Sequence, residues 1–203
     1  MLTKIQKKEL VFQNEKVDIY KIKGAKYDRL EKKLQDGFLG LMNEEKEKIR
    51  VQNIYSQIKN LAYFHSVKKN VVCLAGRKRI CRILAGETSI TSKDTNAETF
   101  PNVCAIGTGT DAHTENSTTL HTEVFRKNIA SREPKDNKLV VLSHYRKDDC
   151  EGNFKEEAIF MQGDVDTADS GHLLSVVTLD VTEGNKTSSD ALIVERTFTL
   201  LTS

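Results

Sequence analysis

His113 and His121 stand eight residues apart in a threonine-rich stretch that also carries Asp111, Glu115 and Glu123. Imidazole nitrogens combined with carboxylates are the donor set that zinc or a similar ion takes. The stretch has no i,i+4 histidine pair and no His-x-His. A polar loop accounts for the same residues, so no metal or other cofactor is expected. Ser143-His144 and Asp148-Asp149 are neighbours in sequence only, with no nucleophile elbow or paired-carboxylate motif around them. The expectation is therefore no catalytic residue and no enzyme. The run Asp164-Val165-Asp166-Thr167-Ala168-Asp169-Ser170-Gly171 looks like a calcium loop at first sight. It lacks glycine at the sixth position and glutamate at the twelfth, which excludes an EF-hand. An acidic turn is the simpler reading, with a loose calcium site as the alternative.

The loop Gly107-Thr108-Gly109-Thr110 could bring backbone close to a phosphate. A phosphate cradle, however, runs into a helix and carries a Lys-Ser/Thr pair, neither of which follows here. Lys68, Lys69, Arg77, Lys78, Arg79 and Arg82 form the densest basic group, a charge pattern that could meet phosphates or an acidic protein surface. It has little aromatic interleaving and no recognition-helix signature. Docking on a partner is the reading adopted for these six and for Arg126 and Lys127, which are placed on the solvent side of a strand or at a subunit contact. Nucleic-acid association is the alternative. Cys73, Cys81, Cys104 and Cys150 show no C-x-x-C pair. Cys73 and Cys81, read as one helix, stand about 12 Å apart, too far for a disulfide. Reduced, mostly buried thiols are expected.

These groups sit on a chain of 203 residues with net charge +2. Residues 1–90 hold 20 Lys+Arg against 10 Asp+Glu, and the remainder holds 11 against 19. That polarity suits surfaces facing different neighbours, or one half docking on another copy. No apolar run reaches the roughly 18 residues of a membrane helix. No secretory signal is apparent, so synthesis in a cytoplasm and no membrane partner are expected.

Leu10–Phe12 and Val17–Ile22 read as short extended pieces, the second alternating at period two. Apolar spacings of three and four from Lys26 to about His65 predict two helices or one bent helix, weakened at Gly37 and Gly40. A third helix is predicted over 71–85, capped by Asn70 and stopped by Gly86. Arg77, Lys78, Arg79 and Arg82 gather on its polar side. Residues 87–100 read as an irregular connection. Beyond Pro101 the period changes, and strands are predicted at 102–106, 124–131, 139–145, 156–161, 173–179 and 191–201.

The second half resembles a group of bacteriophage virion proteins often labelled tail-fibre or minor structural proteins. The likeness is carried by Ile106-Gly107-Thr108-Gly109-Thr110, by Thr119-Leu120 with Glu123-Val124-Phe125-Arg126-Lys127, and by Lys186-Thr187-Ser188-Ser189-Asp190-Ala191-Leu192-Ile193-Val194. With the helix expected over 70–86, it covers roughly residues 70–201, and the order agrees. It implies a non-enzymatic structural role in a virion, in contact with other virion proteins and with copies of itself. The fold class expected is α+β: a basic, mainly helical assembly segment over 1–100, then an antiparallel β-sandwich over 101–203.

Overall fold

The computed structural model describes residues 10–37, 44–69, 71–84 and 101–202. Strand β1 (Leu10–Ile22) comes first, followed by helices α1 (Ala25–Gly37) and α2 (Glu44–Lys59). Strands β2 (Phe64–Lys68) and β3 (Val71–Val72) lead into α3 (Leu74–Leu84). The remainder runs β4 (Pro101–Gly107), β5 (Glu123–Asn128), β6 (Ser131–Lys135), β7 (Lys138–Tyr145), β8 (Gly152–Asn153), β9 (Glu156–Met161) and β10 (His172–Thr178). The short helix α4 (Val181–Gly184), β11 (Asn185–Lys186) and β12 (Ala191–Thr202) complete it. The class is mixed α+β. Two five-stranded antiparallel sheets run in the orders β2-β1-β12-β7-β6 and β3-β10-β9-β4-β5, with a small β11-β8 pair beside them. The chain passes from the end strand of one sheet to the end strand of the other at β2–β3, and returns at β5–β6.

Period-two alternation decides what each face meets. From the first sheet, Val17 and Ile19 of β1, Tyr145 of β7 and Leu192 and Val194 of β12 share a cluster with Cys104, Ile106 and Val177 of the second. A second shared cluster joins Val141 and Phe198 to Ile159, Met161 and Leu174, with Ile80 of α3 against it. The opposite face of the first sheet, through Ile22, Leu142, Ala191 and Ile193, carries Tyr27 and Leu34 of α1 and Ile54, Tyr55 and Ile58 of α2. The far face of the second sheet, through Val103, Ala105, Ala158, Phe160 and Val176, is covered by Cys73 and Leu120. Helix α3 lies so near β10 that a Cβ at Gly76 would stand 2.5 Å from Leu174 Cα.

The extended pieces expected at 10–12 and 17–22 form one strand, β1, which is built into a sheet instead of belonging to a helical segment separate from the sheets. β1 comes before the helices and pairs with β12 on one side and β2 on the other. It does so because both faces of its alternating run have something apolar to meet, the second sheet on one side and the α1–α2 pair on the other. The helix expected to reach His65 ends at Lys59, and His65 lies in β2 opposite Tyr20. Val71 and Val72 pair with β10, so α3 starts only at Leu74. Asn70, Gly40, Gly86 and the connection over 87–100 lie outside the described residues. Strands from either side of residue 100 share each sheet.

Candidate functional site

Between β4 and β5 the chain runs through residues 108–122 without regular secondary structure, and Glu156 holds that loop. β9 starts at Glu156, whose side chain lies on the same face as Ala158 and Phe160, under the loop rather than between the sheets. Its Oε1 accepts from the backbone N–H of Gly109 at 3.0 Å and of Thr122 at 2.9 Å. Its Oε2 accepts from the backbone N–H of His121 at 3.0 Å and from His113 Nε2 at 2.6 Å. Both side chains of the Glu156–His113 pair are almost wholly buried. Burial alone would raise the Glu156 carboxyl. The hydrogen bonds from His113 and from the N–H groups of Thr122, His121 and Gly109 outweigh it and hold the carboxyl at about 2.

The glycines follow from this approach. A Cβ on Gly107 would stand 2.4 Å from the carbonyl oxygen of Thr122 and 2.5 Å from Glu156 Oε1, and one on Gly109 would stand 2.6 Å from that oxygen. Thr108 N–H bonds the Thr122 carbonyl across the loop base, Lys155 N–H bonds the Gly107 carbonyl, and Leu120 is buried below. Farther out, Leu74 N–H bonds the Glu115 carbonyl and Arg77 pairs with the Glu115 carboxylate, fastening the loop to α3.

The two loop histidines, read from the sequence as part of an exposed polar loop, are stacked, with the His113 side chain buried and His121 exposed. Their ring centroids lie 4.3 Å apart with the planes 27° from parallel. One donor atom from each of His113, His121 and Glu156 lies within 4.8 Å of the others. Among the described residues, this is the group of three or more His, Cys, Asp or Glu side chains that could hold a metal ion.

A second concavity, of about 520 Å³, opens between the α1–α2 pair and the β5–β6 crossover. Its polar lining is Tyr55, His144, Arg126, Lys127, Asn128, Arg146 and Asp166. The three cations are engaged by anions: Arg126 by both Glu123 carboxylate oxygens, Lys127 by Asp149, and Arg146 by Glu31. These pairings, with Asp166 in the lining, set the wall against an anionic ligand. Ser143 and His144 lie on opposite faces of β7, which removes them as a nucleophile–base pair.

The residues read as docking cations are spread over three elements. Lys68 in β2 pairs with Asp180 and Glu183 and donates to the Thr178 carbonyl. Lys69 and Lys78 are exposed, Arg77 holds Glu115, and Arg79 is buried, which takes it off the polar side of α3 where it was expected. The side chain of Arg82 lies outside the described residues. Arg126 is also buried, where the solvent side of a strand or a subunit contact was expected. Besides Glu123 it donates to the Asp164 carbonyl and to Ser170 Oγ, both at 2.7 Å, so a guanidinium organises the acidic loop that looked like a calcium site.

The closing motif is equally committed. The buried Lys186 ammonium donates to the carbonyls of Lys147 and Cys150, while Asp190 accepts from Thr187 and Tyr63. The four cysteines are unbridged, with Cys73 and Cys104 buried and Cys81 exposed. Comparison with protein-family models, with characterised proteins and with solved structures finds no match for this chain.

Proposed function

We propose that this chain is a non-enzymatic structural component of a bacteriophage virion, working through assembly with copies of itself and with other virion proteins. In this reading the two sheets are the layers of an antiparallel β-sandwich. One observation carries the proposal. The three motifs behind the resemblance spend their polar groups on fastening loops to strands: Gly107 and Gly109 against Glu156, Glu123 on Arg126, and Lys186 with Asp190 around the β11–β12 turn. Side chains so committed build shape rather than turn over a substrate.

Assembly has surface available. Tyr63, Val67 and Val181 are more than half exposed, on or beside the end strand β2 and on α4, which Lys68 and Ser66 tie to that strand through Glu183. Exposed cations such as Lys69 and Lys78 add a salt-sensitive attraction to acidic surface on another copy. Sedimentation of the purified chain from low to high salt should show an oligomer that weakens as ionic strength rises. Gold-labelled antibody against the chain should decorate particles of the phage that encodes it at one discrete position. Particles that carry none of the chain would overturn the proposal.

A further inference from the structure

We propose that His113, His121 and Glu156 form a binding site for one divalent transition-metal ion such as zinc. The proposal is independent of the virion reading. Two imidazoles and one carboxylate, with a water in the remaining position, are a sufficient donor set for zinc. Here they come from the two ends of one loop and from the strand beneath it.

The donors are already held by a surrounding set of hydrogen bonds. Oε1 of Glu156 is fixed by the N–H groups of Gly109 and Thr122, and Oε2 by that of His121. A cation on Oε2 therefore replaces only one existing contact, the 2.6 Å bond from His113 Nε2. His113 then gives Nε2 to the metal and carries its proton on Nδ1, which faces Ser117 Oγ at 3.4 Å. Ser117 Oγ is itself positioned by the Thr114 N–H at 3.1 Å. A ligating histidine whose second nitrogen meets an oxygen, and a ligating carboxylate steadied by N–H donors, are the usual supports around a protein metal site.

The third donor must move. Ligand atoms each about 2.0–2.1 Å from a tetrahedral ion are about 3.4 Å apart, whereas these three span up to 4.8 Å. His113 Nε2 and Glu156 Oε2, 2.6 Å apart, must open by about 0.8 Å to admit the ion, and the exposed His121 ring makes the larger movement inward. Its backbone stays tied to Glu156 while the side chain swings inward. The bound ion would lock loop 108–122 onto β9 through three protein ligands, with the fourth position left to water.

The experiment uses the full chain carrying Cys81→Ser, because Cys81 is an exposed thiol that could bind zinc by itself. The protein is stripped with chelator and titrated with zinc against a chromophoric competitor, with cobalt as a spectroscopic probe. One equivalent of zinc should bind, cobalt should give weak visible bands with no thiolate charge transfer, and the thermal midpoint should rise. His121→Ala removes an exposed ring and keeps the backbone bond, so it should fold and weaken binding at least about tenfold. Ser117→Ala should weaken it by about tenfold. His172→Ala should change nothing. Absence of saturable binding at one equivalent overturns the site, and so does a His121→Ala protein that binds zinc as tightly as its parent.

Discussion

At Glu156 a single carboxylate does the work of a missing stretch of secondary structure. Loop 108–122 has no ladder of its own, and three of its backbone N–H groups or flanking ones end on two oxygens. Removing the charge leaves buried donors short of an acceptor, a cost of the kind that decides loop order. The folded carboxyl sits at about 2 against an ordinary value of 4.5. Because the folded value is depressed, its contribution is present above about 4.5 and is lost as pH falls toward about 2. Denaturant titrations in chelator should find Glu156→Gln less stable by about 3 kcal/mol at neutral pH. The gap should close through that acid window. A gap independent of pH would show that the charge is not what holds the loop. The sequence displayed half of this arrangement. Gly107 and Gly109 announced a close backbone approach, and His113 and His121 announced donors in one loop. What they approach lies 47 residues from Gly109 and 43 from His113, and no local spacing encodes that.

The helical pair α1–α2 shows how an element is fixed to a sheet by more than its apolar stripe. His144 of β7 points into it. Tyr55 Oη lies 3.2 Å from Nδ1, and Tyr27 Oη lies 2.9 Å from Nε2 and 2.8 Å from Glu31 Oε1. With the Tyr27 hydroxyl donating to Glu31, the ring carries its proton on Nε2 and accepts from Tyr55. Burial, with Lys127 and Arg146 acting in the same direction, pushes the imidazole down to about 3. The unfolded chain takes up that proton from about 6.5 downward, so stability is untouched above that pH and falls below it. Between pH 6.5 and 4.5, before Glu156 begins to titrate, the loss from His144 should approach about 1.4 kcal/mol per pH unit. His144→Gln should flatten that slope. Hydrogen exchange should show α1 and α2 loosening first in the parent, and exchange in these helices unchanged from pH 7 to pH 5 would refute the assignment. Helical spacing revealed both elements, and alternation placed the later strands β4, β5, β7, β9, β10 and β12 close to where they fall. β2 was hidden because Phe64–Lys68 continues an apolar spacing that suits either period. Its pairing with β1 supplies the decision.

Across the whole molecule, the two sheets are joined by a charge pair as well as by apolar contact. Arg196 of β12 and Glu157 of β9 form an ion pair with both side chains fully buried, and Arg196 also donates to the Glu157 carbonyl at 2.8 Å. Tyr145 donates to Glu157 Oε1 at 3.1 Å. Period two places Arg196 on the face of Val194 and Phe198, yet nothing near it in sequence points to its partner 39 positions away. Burial pushes the Glu157 carboxyl above its ordinary value, and the nearby Arg196 guanidinium only partly offsets it. Desolvation therefore outweighs attraction, and the pair contributes to the registry of the sheets more than to net stability. Breaking one side differs from removing both. Arg196→Met strands a carboxylate in the core and should cost about 3–5 kcal/mol. Arg196→Met with Glu157→Gln removes the stranded charge and should recover most of that loss, measured as denaturation midpoints in a double-mutant cycle. If the double variant is as unstable as the sum of the two single ones, the residues act independently, and the sheets are held in register by their apolar faces alone.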